Sequence, residues 1–326
     1  MGSDAPRLGT YVFELDGRGG GREIPLDEAV GPSSGEAFLW VHLAMDDPAA
    51  QAWLQGPADL ESRVADALLA EETRPRVAAE GDGLLVILRG VNTNPGANPE
   101  DMVSIRIWLE ERRILTVRKR RLEAISDLRT RIASGQGPGR PSTLLMQLSD
   151  LLTQRMRPVM TSLEDAIDEL EEATLSDGSS DLPGRLADLR RTVIGLRRYL
   201  APQREALARL HQEGVPLLNE DERLELREVA SGVQRIVESL DAARERASIL
   251  NEEVGHILTE ETNRTVYLLS IVTAVFLPLG LLTGLLGINV GGIPGADSPW
   301  GFLTVVALLL GIGGLQLWWL RLKGLL

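Results

Sequence analysis

Apolar residues follow three patterns in turn along this chain. Up to about residue 140 they come in short, β-branched or aromatic runs, the mark of strands. Thr10–Leu15 and Ala37–Leu43 are two such runs. Arg76–Glu80 and Leu84–Val91 flank Gly81-Asp82-Gly83, which predicts a hairpin. Met102–Leu109 alternates, with Val103, Ile105, Ile107 and Leu109 on one face, and Ile114–Arg118 follows a tight charged turn. Pro48–Leu69 and Leu122–Ala133 carry the helical period, while Gly17–Gly21 and Asn92–Pro99 are predicted loops. Residues 1–140 are therefore expected to form an α+β domain.

The second pattern has helical spacing and begins after the breaker-rich stretch Gly135–Pro141. A helical hairpin is expected over 141–218. Its first helix, Ser142–Leu175, ends in acids (Glu164, Asp165, Asp168, Glu169, Glu171, Glu172), and its second, Arg185–His211, is rich in arginine. Opposite charges on successive helices fit an antiparallel pair, read either as a solvated pair or as a movable electrostatic arm. Asn219 and Glu222 then have the spacing of a capping box. No proline follows until Pro278, so one helix of about 100 Å is predicted from 220 to 286. Its apolar seam runs Val229, Val233, Ile236, Leu240, Ala243, Ala247, Leu250, Val254, Ile257. A second stripe, Glu252, His256, Thr259, Asn263 and Val266, steps by four and three on another face.

The third pattern is continuous. Val266–Leu286 and Trp300–Leu320 are each 21 residues without a charge, and a helix of that length crosses a hydrocarbon core of about 30 Å. The chain thus divides into a stalk (219–265), a first span (266–286), a loop (287–299), a second span (300–320) and a tail (321–326). Arg264, Arg321 and Lys323 flank the spans, and the loop holds only Asp297 as a charge. The positive-inside rule puts both termini in the cytoplasm and the loop outside.

Two spans enclose no hydrophilic path by themselves, so a pore needs several copies around an axis. The first span suits the inner position, because Ser270, Thr273, Leu277, Gly280 and Gly284 continue the polar stepping through Val266. Gly280 and Gly284 form a GxxxG, which equally fits a contact between membrane anchors. Pro278 removes one backbone bond. Paired Trp318 and Trp319 suit a lipid-facing second span. In the loop, Asn289 offers a neutral amide oxygen, Gly287 allows a tight exit from the helix, and Asp297 would add negative charge at the mouth. A ring of such amide oxygens holds an ion's water shell and still lets it go.

Composition narrows the function. Net charge is −13, which argues against a nucleic-acid partner and suits cations. There is no cysteine, and His42, His211 and His256 are the three histidines, so a closed zinc site within one chain is not expected. The N-terminal MGSDAPRLGTYVFELDG has no signal-peptide run. No phosphate-binding loop, nucleophile set or HExxH is present, so an enzyme is not expected. A membrane-anchored sensor or a coiled-coil anchor stays open beside a transporter. By donor chemistry alone, the amide and hydroxyl oxygens handle hydrated ions and do not choose zinc.

The stretch YLLSIVTAVFLPLGLLTGLLGINVGGIPG (267–295) resembles the CorA superfamily of divalent-metal transporters, whose signature is Gly-X-Asn. Ile288 stands where the magnesium branch has methionine, and NVGGIPG is similar to the ZntB zinc-transporter branch. WVHL (40–43), LTVR (115–118) and YLAPQREALARL (199–210) extend the likeness. The resemblance implies a funnel-shaped homopentamer in the inner membrane of a prokaryote, with no cofactor beyond the transported cation. Gly287, Ile288 and Asn289 would form the outer selectivity ring, and Leu277 would narrow the pore. Glu252 would fall near a regulatory acidic position. It implies Zn²⁺ as cargo, with proton-coupled uptake favoured over efflux, and Mg²⁺, Co²⁺ or Ni²⁺ as the other candidates. Asn289, Glu252 and His256 are the transient metal contacts expected, and His256 is also a candidate for proton movement.

Overall fold

The computed structural model describes residues 9–29, 35–175, 181–212, 217–287, 293, 295 and 298–324. The chain divides into two compact units, Met1–Asn251 and Glu252–Leu326.

The first unit is built on a seven-stranded sheet of order β2-β1-β3-β7-β6-β5-β4. The strands are β1 (Tyr11–Leu15), β2 (Gly21–Ile24), β3 (Phe38–Ala44), β4 (Arg76–Glu80), β5 (Gly83–Gly90), β6 (Val103–Leu109) and β7 (Arg113–Arg118). All pairings are antiparallel except β3 with β7, where His42 lies opposite Thr116. One face packs Val41, Leu43, Ile87, Trp108, Leu115 and Val117 against Trp53 and Leu54 of α1 (Pro48–Gln55) and Val64 and Leu68 of α2 (Ser62–Leu69). Each such side chain removed from water contributes about 2 kcal/mol.

Several expected boundaries change. The helix expected over Pro48–Leu69 is two, because Gly56 ends α1 and Asp59 takes a positive φ of 51° before α2 starts. β2 begins at the end of the glycine stretch read as a loop. β6 is buried along its whole length rather than on one face. The β4–β5 hairpin turns on Gly81 (φ 56°) and Asp82, and Gly83 already pairs with Glu80.

Helices α3 (Glu123–Ala133) and α4 (Pro141–Gln154) follow the sheet. The predicted helix Ser142–Leu175 breaks at Arg155-Met156, one residue before Arg157-Pro158, giving α4 and α5 (Arg157–Leu175). α6 is Leu182–Gln212 and α7 is Glu220–Leu286, 67 residues long. The capping box forms as predicted: Asn219 N–H donates to Glu222 Oε2 at 2.9 Å, and Glu222 N–H donates to Asn219 Oδ1 at 2.8 Å. Glu222 also accepts from Ser142 Oγ at 2.6 Å and Thr143 Oγ1 at 2.9 Å, fastening the start of α7 to the start of α4. The seam of α7 is buried from Val229 to Val254, whereas Ile257 is 37 % exposed.

The acidic end of α5 meets the arginines of α6 only through Glu169 and Arg185, at 2.8 Å, among the described ion pairs. Its Asp168 and Glu171 instead pair with Arg246 of α7, at 2.5 and 2.7 Å. Arg197 of α6 pairs with Asp241 of α7. The charges thus tie three helices together rather than two.

The second unit holds the remainder of α7 and α8 (Gly301–Leu322), the two helices long and apolar enough to cross a membrane.

Candidate functional site

The membrane half of α7 has two distinct faces. Ile271, Val275, Pro278, Leu279 and Leu282 are half-buried. They face α8, whose Gly313 lies close enough to Leu279 that an added methyl would touch Leu279 Cδ1 at 3.8 Å. The matching face of α8 is Val305, Leu309, Ile312, Gly313, Gln316 and Leu320. Val266, Ser270, Thr273, Leu277, Gly280 and Gly284 are all exposed. At 100° per residue this stripe centres about 160° from the face that α8 covers. The expected inner face and the α8-packed face are therefore on opposite sides of one helix.

The exposed stripe has shape as well as polarity. Val266, Leu269, Ser270, Thr273, Ala274, Leu277 and Pro278 line a shallow concavity of about 470 Å³. Leu277 is 70 % exposed at its upper end. Ser270 Oγ donates to the Val266 carbonyl, and Thr273 Oγ1 to the Leu269 carbonyl, each at 2.8 Å. These bonds fold the hydroxyls against their own helix and leave their lone pairs facing out. A methyl added at Gly280 or Gly284 would meet nothing within 4 Å in the same chain.

Toward the stalk, Glu252, His256, Thr259 and Asn263 are exposed along the same helix. Thr259 Oγ1 donates to the Gly255 carbonyl at 2.8 Å. Among the described residues, no group of three or more His, Asp or Glu side chains converges to hold a metal within one chain. Gly287 closes α7, its N–H donating to the Thr283 carbonyl at 2.9 Å. Ile288, Asn289 and Asp297 lie outside the described residues.

The histidines separate by environment. His42 is fully buried, with Nε2 and Nδ1 both hydrogen-bonded, and has no free nitrogen for a metal. His211 lines a groove of about 360 Å³ between α6 and α7, with Arg204, Arg227 and Arg235. One polar residue of the second unit escaped the sequence reading. Gln316 sits in the α7–α8 seam with its Oε1 buried and without a hydrogen-bond partner. Its signal was available: an amide inside a charge-free apolar span is costly and rarely without a reason.

Known proteins share this arrangement over almost the full chain. The family described as CorA-like Mg²⁺ transporter protein matches residues 35–322. A divalent cation transporter, CmaX, of Pseudomonas aeruginosa is 43 % identical over 312 residues, 95 % of this chain and 94 % of that one. The zinc transport protein ZntB of Pectobacterium carotovorum is 36 % identical over 313 residues, 95 % of this chain and 94 % of that one. The solved full-length CmaX superposes with a TM-score of 0.83 at 42 % identity, covering 98 % of this chain and 99 % of CmaX. The CorA magnesium transporter of Methanocaldococcus jannaschii shares the fold, with a TM-score of 0.78 at 19 % identity over 95 % of this chain and 97 % of its own. An α+β unit, one long helix with an apolar C-terminal part and a final apolar helix make up the layout that this chain shares with the superposed structures, and the relatives are named for transport rather than catalysis. The chain belongs to the CorA family of divalent cation transporters.

Proposed function

We propose that five copies of this chain surround a central pore that carries Zn²⁺ across the inner membrane of a prokaryote, inward and coupled to protons. The observation that carries the pore is the exposed stripe Val266, Ser270, Thr273, Leu277, Gly280 and Gly284, opposite the face α8 covers. A membrane helix that leaves a face with two hydroxyls uncovered in one chain can turn it to water in an assembly. In this reading residues 1–140, 141–218 and 219–265 are cytoplasmic, as is the tail 321–326. The spans are 266–286 and 300–320, and 287–299 faces outward. Gly287, Ile288 and Asn289 ring the outer entrance, and Asp297 adds charge at the mouth. Glu252 and His256 touch the ion in passing below, with Thr259 and Asn263 on the same stripe. Zinc as cargo is supported by the relatives named as zinc transport proteins.

A second reading, passive conduction of Mg²⁺, Co²⁺ or Ni²⁺, is favoured by one observation. Within the membrane span the side-chain acceptors on that face, Ser270 Oγ and Thr273 Oγ1, are oxygens, which suits ions that keep their water.

The test is ion flux into proteoliposomes, Zn²⁺ against Mg²⁺, with and without a pH gradient, for the native chain and Asn289→Ala. Zinc flux that grows with the gradient and drops in the variant is expected. Magnesium flux indifferent to pH would select the second reading. A monomer or dimer in detergent, with no flux, would leave an anchor.

A further inference from the structure

Within the first unit, α7 buries Leu226, Val229, Val233 and Leu240 and leaves its opposite face uncovered, with Leu224 59 % exposed. A hollow runs along each side of that face. On one side α6 closes it, and Arg204 and His211 of α6 stand with Arg227 of α7 around about 360 Å³. On the other side α4 closes it, and Asp150 of α4 stands with Glu225 and Glu228 of α7 around about 390 Å³. At 100° per residue, Arg227 lies about 60° to one side of Leu224 and Glu228 about 40° to the other. Arg235 lines both hollows and Arg157 the second, while no acid lines the first among the described residues.

These charges are unmatched within the chain. Among the described ion pairs, none involves Arg227, Glu225 or Glu228, and Arg204 reaches only the adjacent Glu205, at 3.7 Å. Each hollow also holds a buried side-chain atom without a hydrogen-bond partner, His211 Nδ1 in the first and Gln147 Oε1 in the second. A ring of identical copies closes by a heterologous contact, in which one side of each copy meets the other side of the next. The two sides must therefore differ and match. A basic hollow on one side and an acidic hollow on the other meet that condition, whereas either hollow set against its own copy would bring like charges together.

We propose that the α4–α7 hollow of one copy docks against the α6–α7 hollow of the next, with Glu225 and Glu228 pairing with Arg227 and Arg204 across the contact. The proposal rests on the ring reading above and adds which surfaces of the first unit meet. The uncovered face of α7 then lines the space that the copies enclose. Each exposed ion pair is small alone, but the contact repeats at every junction, so the assembly weakens as salt screens it.

The experiment measures the mass of the full-length chain in detergent by light scattering, at falling protein concentration, in about 0.1 M and about 0.5 M salt. Arg204→Glu/Arg227→Glu makes both sides acidic, Glu225→Arg/Glu228→Arg makes both basic, and the fourfold variant exchanges them. Circular dichroism first checks each for native helix content. In either double variant the concentration at which the assembly half-dissociates is expected to rise about 30-fold, equivalent to about 2 kcal/mol. The fourfold variant is expected to return to within about threefold of the native chain. Native midpoints in both double variants would overturn the contact, leave the hollows to solvent ions and keep the ring standing. A fourfold variant as weak as the doubles would assign the loss to packing within each copy and overturn it too, as would a native midpoint indifferent to salt. A native chain that runs as a monomer would remove the ring and this contact together.

Discussion

Arg118 donates its Nε–H to Nε2 of His42 at 2.8 Å, which fixes the tautomer of a histidine with no exposure to water. With Nε2 accepting, the proton sits on Nδ1 and is donated to Thr116 Oγ1 at 2.8 Å. Trp40 Nε1 donates to the same oxygen at 2.9 Å, leaving that hydroxyl to point at the Val41 carbonyl. Burial, and then the positive charges of Arg118 and Arg129, hold His42 well below the ordinary histidine range.

The sign of the pH dependence follows. The unfolded chain takes up a proton near pH 6.5, at about the free histidine value, and the folded one does not. The contribution of neutral His42 is thus complete above that pH and is lost as pH falls toward the folded value. His42→Leu is expected to destabilise the first unit by about 3 kcal/mol at neutral pH, because it removes the acceptor of the Arg118 Nε–H and breaks the link to Thr116. The gap between the native chain and the variant should narrow between pH 7 and pH 5. Denaturant titrations of the full chain in detergent, followed by circular dichroism, would measure both.

Glu222 gathers the Asn219 N–H and the hydroxyls of Ser142 and Thr143 on one buried carboxylate. Glu222→Ala is expected to cost about 2 kcal/mol locally, seen as a roughly 30-fold loss of hydrogen-exchange protection over the first turns of α7. Asn219→Ala should cost less, since it leaves the bonds to α4 in place.

Gly83 has no room for a side chain. A methyl there would come within 2.1 Å of Trp108 Cζ2. Gly83→Ala should therefore displace the indole, break its 2.6 Å bond to Glu110 Oε1 and destabilise the sheet by about 2 kcal/mol. Trp108→Phe in the same chain should return part of that loss. Tryptophan fluorescence and unfolding midpoints would report it.

Local signals in the sequence carried much of this structure. The capping box needs only Asn219 and Glu222 three residues apart, and the α7 seam needs only its spacing, so both are visible without a fold. The strands β3 to β7 were legible for the same reason, within one or two residues. Long-range polar contacts were not. Arg106 and Arg113 fall in strands and look solvent-facing, yet both are buried. Arg106 Nη2 donates to the Ala70 carbonyl at 2.5 Å, and Arg113 Nη1 to the Ala58 carbonyl at 2.9 Å. Burial pushes the Arg106 guanidinium down to about 10. Their partners are backbone oxygens 36 and 55 residues away in the chain, and no sequence pattern encodes them. Likewise, the acids of α5 looked like partners for α6 because α6 comes next. Arg246, 78 residues from Asp168, takes two of them instead.

The membrane face was legible in part. Ser270 and Thr273 stand out against an apolar span, and their stepping with Val266 marks a stripe. Which side α8 covers was not legible, because a uniformly apolar span has no period to show it.

The lone parallel pairing of the sheet has a consequence for assembly. β1 to β3 form one antiparallel group and β4 to β7 another, and each can zip from its own turns. Among the described strands, the two halves pair where Leu39–Ala44 aligns with Arg113–Arg118. That closure spans more than 70 residues of chain, the slow kind of step in folding. The polar chain of His42, Thr116 and Arg118 sits on this joint. A slip of one residue would turn Thr116 and Arg118 to the opposite face and strand His42 without partners. A misaligned closure thus carries the cost of a buried histidine without partners, and the joint favours one register for the union of two antiparallel groups.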